Sequence, residues 1–225
     1  MHNIFQPILR VDQGMKATID GYEMLIRNEK DAFPGIKFLD ELTTESGNLA
    51  WIELSELSLT KVLSGHPDRK IYINIEPCQL KFSVIWDFLA QLYQKYSSQV
   101  ALEITERREL SRPFEYLDQE IKRLNEIGFE LAIDDVCAGS NSYTFIMHQL
   151  GSISRIKLSL LVFKNEDIVT ARQFIKAWFM FAKQHQLDFV VEGIADQQMA
   201  KYFSKETPVL QQGFYWGRGS QQILD

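Results

Sequence analysis

Basic surplus, cysteine, histidine and long apolar runs are what this sequence has little of. Its 225 residues carry 24 Lys and Arg against 30 Asp and Glu, a net charge of −6. With no basic excess to neutralise phosphates, the charge argues against nonspecific binding to DNA or RNA, and no such partner is expected, although a small anionic ligand held through metal ions is compatible with it. The only cysteines, Cys78 and Cys137, allow at most one disulfide and form no C-x-x-C pair, which fits a reducing compartment better than a secreted scaffold. No apolar run approaches the roughly 18 residues of a membrane span. The N-terminal stretch Met1 to Pro7 lacks the basic-then-apolar order of a signal peptide. A soluble, cytoplasmic chain with no membrane partner is expected.

The apolar content is ample: 45% of residues are hydrophobic and 15 are Phe, enough for a large core. The length suits one barrel-sized domain over residues 1–225, and no linker or low-complexity segment divides it. Ile4 to Val11 reads as a strand, Asp12-Gln13-Gly14 as a turn, and Thr18 to Arg27 as a second strand. Glu23 is a charge inside that apolar second strand, costly unless paired or metal-bound. A short helix is expected over Ile36 to Glu45, and an amphipathic one over Asn48 to Leu63, closed by Gly65 and Pro67.

Strands and helices then alternate. Strands are expected at Lys70–Ile75, Val100–Glu106, Leu131–Asp135, Arg155–Ser159 and Asp188–Gly193, and Val209–Trp216 closes the chain. Helices are expected at Leu80–Tyr96, Phe114–Ile127, Tyr143–Leu150, Asp167–His185 and Gln197–Phe203. In the second of these Phe114, Leu117, Ile121, Leu124 and Ile127 share one face. In the fourth, Ile168, Ala171, Phe174, Ile175, Trp178 and Ala182 form a stripe expected to pack on the barrel. Such alternation implies an α/β fold with parallel strands inside and helices outside.

Polar residues fall near the strand ends: Asn74, Glu103, Asp134, Lys157 and Glu192, spaced by 23 to 35 residues, about one βα unit each. Each alone reads as a satisfied polar group or a helix cap. Five in phase, with Glu23, read as one site, because the C-terminal strand ends of a βα barrel converge on a single mouth. Asp134 and Asp135 are neighbours, and neighbours on a strand face opposite ways. They can share a site only where the strand ends and the chain turns. The set is rich in hard oxygen donors, and His2, His66, His148 and His185 all lie away from strand ends, which favours Mg²⁺ or Mn²⁺, one or two ions, over zinc. Glu23, Asn74, Glu103 and Asp134 suit one ion, with Asp134 and Asp135 serving a second. Lys157 is placed to orient a water or offset developing charge. Metal-assisted hydrolysis of a phosphodiester is the reaction class this set supports.

The chain resembles the EAL family of cyclic-di-GMP phosphodiesterases along nearly its whole length. The resemblance rests on Gln6-Pro7-Ile8, Glu23-Met24-Leu25 with Arg27, Ile73-Asn74-Ile75, Leu102-Glu103-Ile104-Thr105-Glu106, Asp134-Asp135, Ile156-Lys157-Leu158, Glu192-Gly193 and Gln212-Gly213, in order. It implies a modified TIM (β/α)8 barrel with one antiparallel strand and hydrolysis of cyclic-di-GMP to linear pGpG. Glu23, Asn74, Glu103 and Asp134 would then bind the first metal, and Asp134 and Asp135 the second. Lys157 and Glu192, with Glu23, would support the nucleophilic water. Leu25, Arg27 and Gln212 would contact the dinucleotide, Arg27 as a forked donor to phosphate. Glu106 and Thr105 would support the loop after the aspartates. A homodimer is the assembly the family's version of that loop contributes to.

Three departures lie close to the chemistry. Ser159 stands where the family carries Asp, Ala195 where it carries Glu, and Val136-Cys137-Ala138-Gly139-Ser140-Asn141-Ser142 replaces Phe-Gly-Thr-Gly-Tyr-Ser-Ser. Cys137 for Gly matters most if the backbone there needs positive φ; as a side chain Cys137 is expected to be small and packed. Met24 for Ala leaves Glu23 and Leu25 in place. Trp216 is placed either to stack on a guanine or to pack at the rim. Two function classes follow: an active, slow phosphodiesterase, or a barrel without turnover that acts as a nucleotide receptor or protein-binding module.

Overall fold

The computed structural model describes residues 1–107, 114–205, 207 and 209–223, with the side chains of Phe114 and Glu115 outside that description. Strands β1 (His2–Val11) and β2 (Ala17–Arg27) form an antiparallel hairpin. Its turn is tied by the Asp12 side chain, whose Oδ1 accepts from the amides of Gly14 at 2.8 Å and Lys16 at 2.9 Å. Two helices follow, α1 (Ile36–Glu41) and α2 (Glu45–Gly65). The expected single helix to Glu45 stops early because Thr44 caps α2, accepting from Gly47 N.

From there the alternation is regular: β3 (Ile71–Ile75), α3 (Ser83–Tyr96), β4 (Val100–Ile104), α4 (Phe114–Ile127), β5 (Leu131–Ile133), α5 (Tyr143–Gln149), β6 (Arg155–Ser159), α6 (Ile168–Gln184), β7 (Asp188–Glu192), α7 (Gln197–Lys205) and β8 (Leu210–Gln212). α3 begins at Ser83, later than expected, because Pro77–Lys81 makes a separate tight turn of helix. In that turn Gln79 Oε1 accepts from the Glu76 amide at 2.9 Å. The eight strands close in sequence order into a barrel. β1 runs against both of its neighbours, β2 and β8, and every other pair is parallel. This is the modified (β/α)8 barrel with one antiparallel strand.

Period-two alternation then sorts each strand into an outer and an inner row. On β3, Ile71, Ile73 and Ile75 are buried under the helices, whereas Tyr72 and Asn74 face inward. Ile8, Tyr72, Ala101, Val190 and Leu210 fill the middle of the barrel. One step further along the same inner rows come Asn74, Glu103, Glu192 and Gln212. At the opposite end Arg155 plugs the barrel, bonded to Asp20 at 2.7 Å and Asp188 at 2.9 Å. Lys157 and Ser159 follow Arg155 at intervals of two on β6, so one strand supplies floor, centre and rim.

On α6, Ala171, Ile175, Trp178 and Ala182 are buried as expected, but Ile168 and Phe174 are each 50% exposed, so the stripe is narrower than its hydrophobicity indicates. Leu117, Ile121 and Leu124 of α4 are buried, Ile127 is partly buried against the core, and Phe114's side chain falls outside the described residues.

Candidate functional site

The site is built around a lysine. Lys157 is fully buried, and its Nζ lies 2.6 Å from Glu103 Oε2, 2.6 Å from Glu192 Oε1, 3.1 Å from Glu23 Oε2 and 3.4 Å from Asp134 Oδ1. One ammonium therefore faces four carboxylates from β2, β4, β7 and the end of β5. The remaining polar groups brace Glu23. Asn74 Nδ2 donates to its Oε1 at 2.7 Å, and Gln212 Nε2 to its Oε2 at 2.6 Å. Gln6 sits opposite Glu23 in the hairpin register and accepts from Gln212 Nε2 at 3.2 Å, while its own amide donates to Gly217 O at 2.9 Å.

The electrostatics follow from this excess of negative charge. Burial works against the Lys157 ammonium, but Asp134, Glu103, Glu192 and Glu23 outweigh it and hold its pKa well above the ordinary value. Burial also raises the carboxyls. It pushes Glu103 up to about 8 against the pull of Lys157, and lifts Asp134 and Glu192 in the same direction. Asp135 reaches about 7, from burial and the neighbouring Asp134 and Glu106. Glu23 alone goes down: burial opposes it, but Lys157, Asn74 and Gln212 prevail. Protons are thus retained on acids crowded around a single cation.

Three buried oxygens here, Glu103 Oε1, Asp134 Oδ1 and Gln212 Oε1, accept no hydrogen bond among the described residues. Asp134 Oδ1 faces the ammonium at 3.4 Å without hydrogen-bond alignment. Asp134, Asp135 and Glu192 each offer an oxygen within 4.8 Å of the others. Surplus carboxylates, orphaned oxygens and an all-oxygen donor set fit a hard divalent cation.

The expected neighbours Asp134 and Asp135 do converge where the chain turns, Asp135 having φ 46°. The loop that follows keeps its shape with side chains in strained positions. Cys137 has φ 73°, so the replacement of glycine falls where the backbone needs a left-handed conformation. Cys137 is not packed as expected: it is exposed, and its Sγ accepts the Trp178 indole N–H at 2.6 Å. Gly139 is retained for a steric reason, since a Cβ there would stand 2.8 Å from Glu106 Cγ and 2.9 Å from its carbonyl. Asn141, fully buried, reaches back to the Asp134 carbonyl at 2.5 Å and fixes the aspartate from the loop side.

Glu106 supports the loop through its backbone, accepting from Ser140 N at 3.3 Å. Thr105 does not: its hydroxyl goes to Glu76 Oε2 at 2.7 Å. Ser159 stands opposite Glu192 in register and its Oγ accepts from the Leu161 amide at 3.3 Å. With Ala195 it lines a cavity of about 400 Å³ beside Glu192, where two expected carboxylates are missing. Leu25 and Arg27 line a second cavity, of about 170 Å³, that opens onto Glu23, Asn74, Asp134 and Asp135. Trp216 packs at the rim, its indole bonded to Gln211 Oε1 at 3.0 Å. Gln212 is held in place by Gly213, where a Cβ would collide with the Ile194 backbone at 2.3 Å.

Sequence reading missed Glu76, Arg107 and Asn141. Gln6 was visible as part of a motif and becomes a site residue only through its place opposite Glu23.

Solved structures share this fold. The YkuI protein of Bacillus subtilis, with an EAL domain and in complex with c-di-GMP and calcium, aligns with a TM-score of 0.80 at 20% identity, over 99% of this chain and 56% of that one. The PaMucR phosphodiesterase–c-di-GMP complex gives 0.75 at 21% identity, over 96% and 90%. A standalone EAL protein from Vibrio cholerae O395 in a c-di-GMP-bound form gives 0.72 at 18% identity, over 100% and 94%. No curated protein matches the chain. The family model for the EAL domain matches residues 1–219. With the barrel, its single reversed strand and the acidic mouth, that match places the chain in the EAL domain family.

Proposed function

We propose that the chain hydrolyses cyclic-di-GMP to linear pGpG with Mg²⁺ or Mn²⁺ bound at its acidic mouth. The observation that carries this reading is the buried Lys157 ringed by Glu23, Glu103, Asp134 and Glu192, with oxygens left unbonded. Glu23, Asn74, Glu103 and Asp134 would hold one ion, and Asp134, Asp135 and Glu192 would serve another. Bound there, the metal supplies Lewis acidity and lowers the pKa of water. Family membership supports the same reading, as do neighbours solved with c-di-GMP.

The chain's own residues supply positioning. Arg27 lines the cavity beside the mouth, and among the described residues only its Nη1 is committed, to Ile26 O at 2.9 Å, so its other donors are available to a phosphate. Leu25 forms the apolar wall next to it. Lys157 and Glu192, 2.6 Å apart, would orient the attacking water, Glu192 accepting its proton once a bound cation has displaced the one that burial retains there. Water oxygen then bonds to phosphorus as the bond to the 3′ oxygen breaks. That oxygen takes a proton from solvent and leaves as a hydroxyl, Glu192 returns the water's proton to solvent, and the phosphate remains on the 5′ side, giving pGpG. Gln212 and Asn74 hold Glu23 in place throughout.

Ser159 and Ala195 favour slow turnover, because two carboxylates expected around the water are replaced by neutral groups. In the limit of no turnover, the same pocket makes a cyclic-di-GMP receptor. We place the chain in the cytoplasm, consistent with its two free cysteines. Release of pGpG from cyclic-di-GMP with Mn²⁺ or Mg²⁺, run beside Glu23→Ala, tests the proposal. Product from the wild type alone supports hydrolysis, nucleotide binding without product supports the receptor, and neither refutes both.

A further inference from the structure

The 170 Å³ cavity beside the acidic mouth contains a second arginine. Arg107 lies just past β4 with its side chain 44% exposed, and its guanidinium is anchored by one hydrogen bond, with a carboxylate and a ring further off. Nη1 donates to Glu76 Oε1 at 2.5 Å, Nε faces Glu106 Oε1 at 3.6 Å, and Cζ stands 5.7 Å from the centroid of the Phe33 ring. Its anchor is itself rigid. Glu76 is buried, its second oxygen takes the Thr105 hydroxyl, and its amide is capped by Gln79. Nη2 has no partner among the described residues, and the guanidinium borders the same cavity as Arg27, Asp134 and Asp135.

The charge around Arg107 decides what this free donor can recognise. One guanidinium with two carboxylates is net negative, a poor partner for a phosphate, for which Arg27 is better placed. What remains is a directional N–H on an anchored planar group. It suits a neutral acceptor edge, such as O6 and N7 of guanine. Adenine presents an amino donor in place of O6, which would oppose the arginine donor-to-donor. We propose that Arg107, held by Glu76 and Phe33, is a specificity-determining residue that reads the guanine base of the dinucleotide bound next to the metal mouth. This deepens the phosphodiesterase reading and rests on it.

The test is calorimetric binding of cyclic-di-GMP and cyclic-di-AMP to the full chain with Ca²⁺, comparing wild type, Arg107→Ala and Arg107→Lys. The lysine variant keeps a cation for Glu76 but has no second amino group in the place of Nη2, so it separates recognition from folding. The expected result is a roughly tenfold loss of cyclic-di-GMP affinity in both variants, with cyclic-di-AMP unaffected and Arg107→Lys melting as the wild type does. Equal weakening of both nucleotides would make Arg107 a phosphate contact and overturn the inference, as would no change for either. Failure of the wild type to bind cyclic-di-GMP would instead sink the functional reading, and the inference with it.

Discussion

Ser159 faces Glu192 across the parallel register of β6 and β7, but its hydroxyl is turned to the Leu161 amide and contributes no charge to the site. A carboxylate there would still cap that amide. It would also add a negative group beside the water that Lys157 and Glu192 are proposed to orient. Ser159→Asp is therefore expected to raise kcat for cyclic-di-GMP about tenfold, equivalent to ~1.4 kcal/mol in the barrier, with a smaller effect on KM. Steady-state pGpG kinetics measure it. An unchanged or lower kcat would show that the missing carboxylate does not limit turnover.

The raised acids give the fold an inverted pH dependence. Asp135 at about 7 and Glu103 at about 8 lie above their ordinary values of 3.8 and 4.5, so the folded chain binds more protons than the unfolded chain between those limits. Stability then falls as pH rises through that window and levels off above it. Lys157, raised, titrates above the window, and Glu23, lowered, acts only at and below its ordinary 4.5, where it destabilises as pH falls, so neither alters the decline above about pH 5.5. The melting temperature without divalent cations is expected to drop between about pH 5.5 and about pH 8.5. Saturating Mn²⁺ should raise it at both, and more at the higher pH, where the carboxylates are free of protons. A cation effect larger at the lower pH would contradict the assignment.

Gly139 marks a close approach of the loop that carries Asp135 to the end of β4. A Cβ there meets Glu106 at less than 3 Å with φ at 51°, so Gly139→Ala must displace either the loop or the β4 end. A destabilisation of about 1–2 kcal/mol is expected in urea unfolding. Loss of Mn²⁺ affinity should accompany it, because Asn141 and Asp134 move with the loop. Unaltered metal affinity in a destabilised variant would separate the loop from the metal.

Much of this was legible in one dimension. A polar residue at each strand end, in phase with the βα spacing, was enough to gather Glu23, Asn74, Glu103, Asp134, Lys157 and Glu192, because period-two alternation and barrel closure send those positions to one mouth. Hydrophobicity marked the helices and most of their buried faces, but not the edges: Ile168 and Phe174 look like core and lie half-exposed, since solvent tolerates scattered apolar groups. The braces were hidden. Glu76 and Arg107 are 31 residues apart and meet only because β3 and β4 pair. Asn141 reads as a loop residue until its amide is seen on the Asp134 carbonyl. Thr105, placed by the motif, and Cys137, a departure from it, take partners, Glu76 and Trp178, from neighbours that no linear pattern names.

The central claim is that these acids chelate a divalent cation at one site. Titration of Mn²⁺ into the wild type, Glu23→Ala and Asp134→Ala, followed by calorimetry with proton release, tests it most directly. Saturable binding by the wild type is expected, with protons released, stronger at higher pH, and weakened more than about a hundredfold in both variants. Binding of Mn²⁺ with the same affinity by all three proteins, or by none, would contradict it.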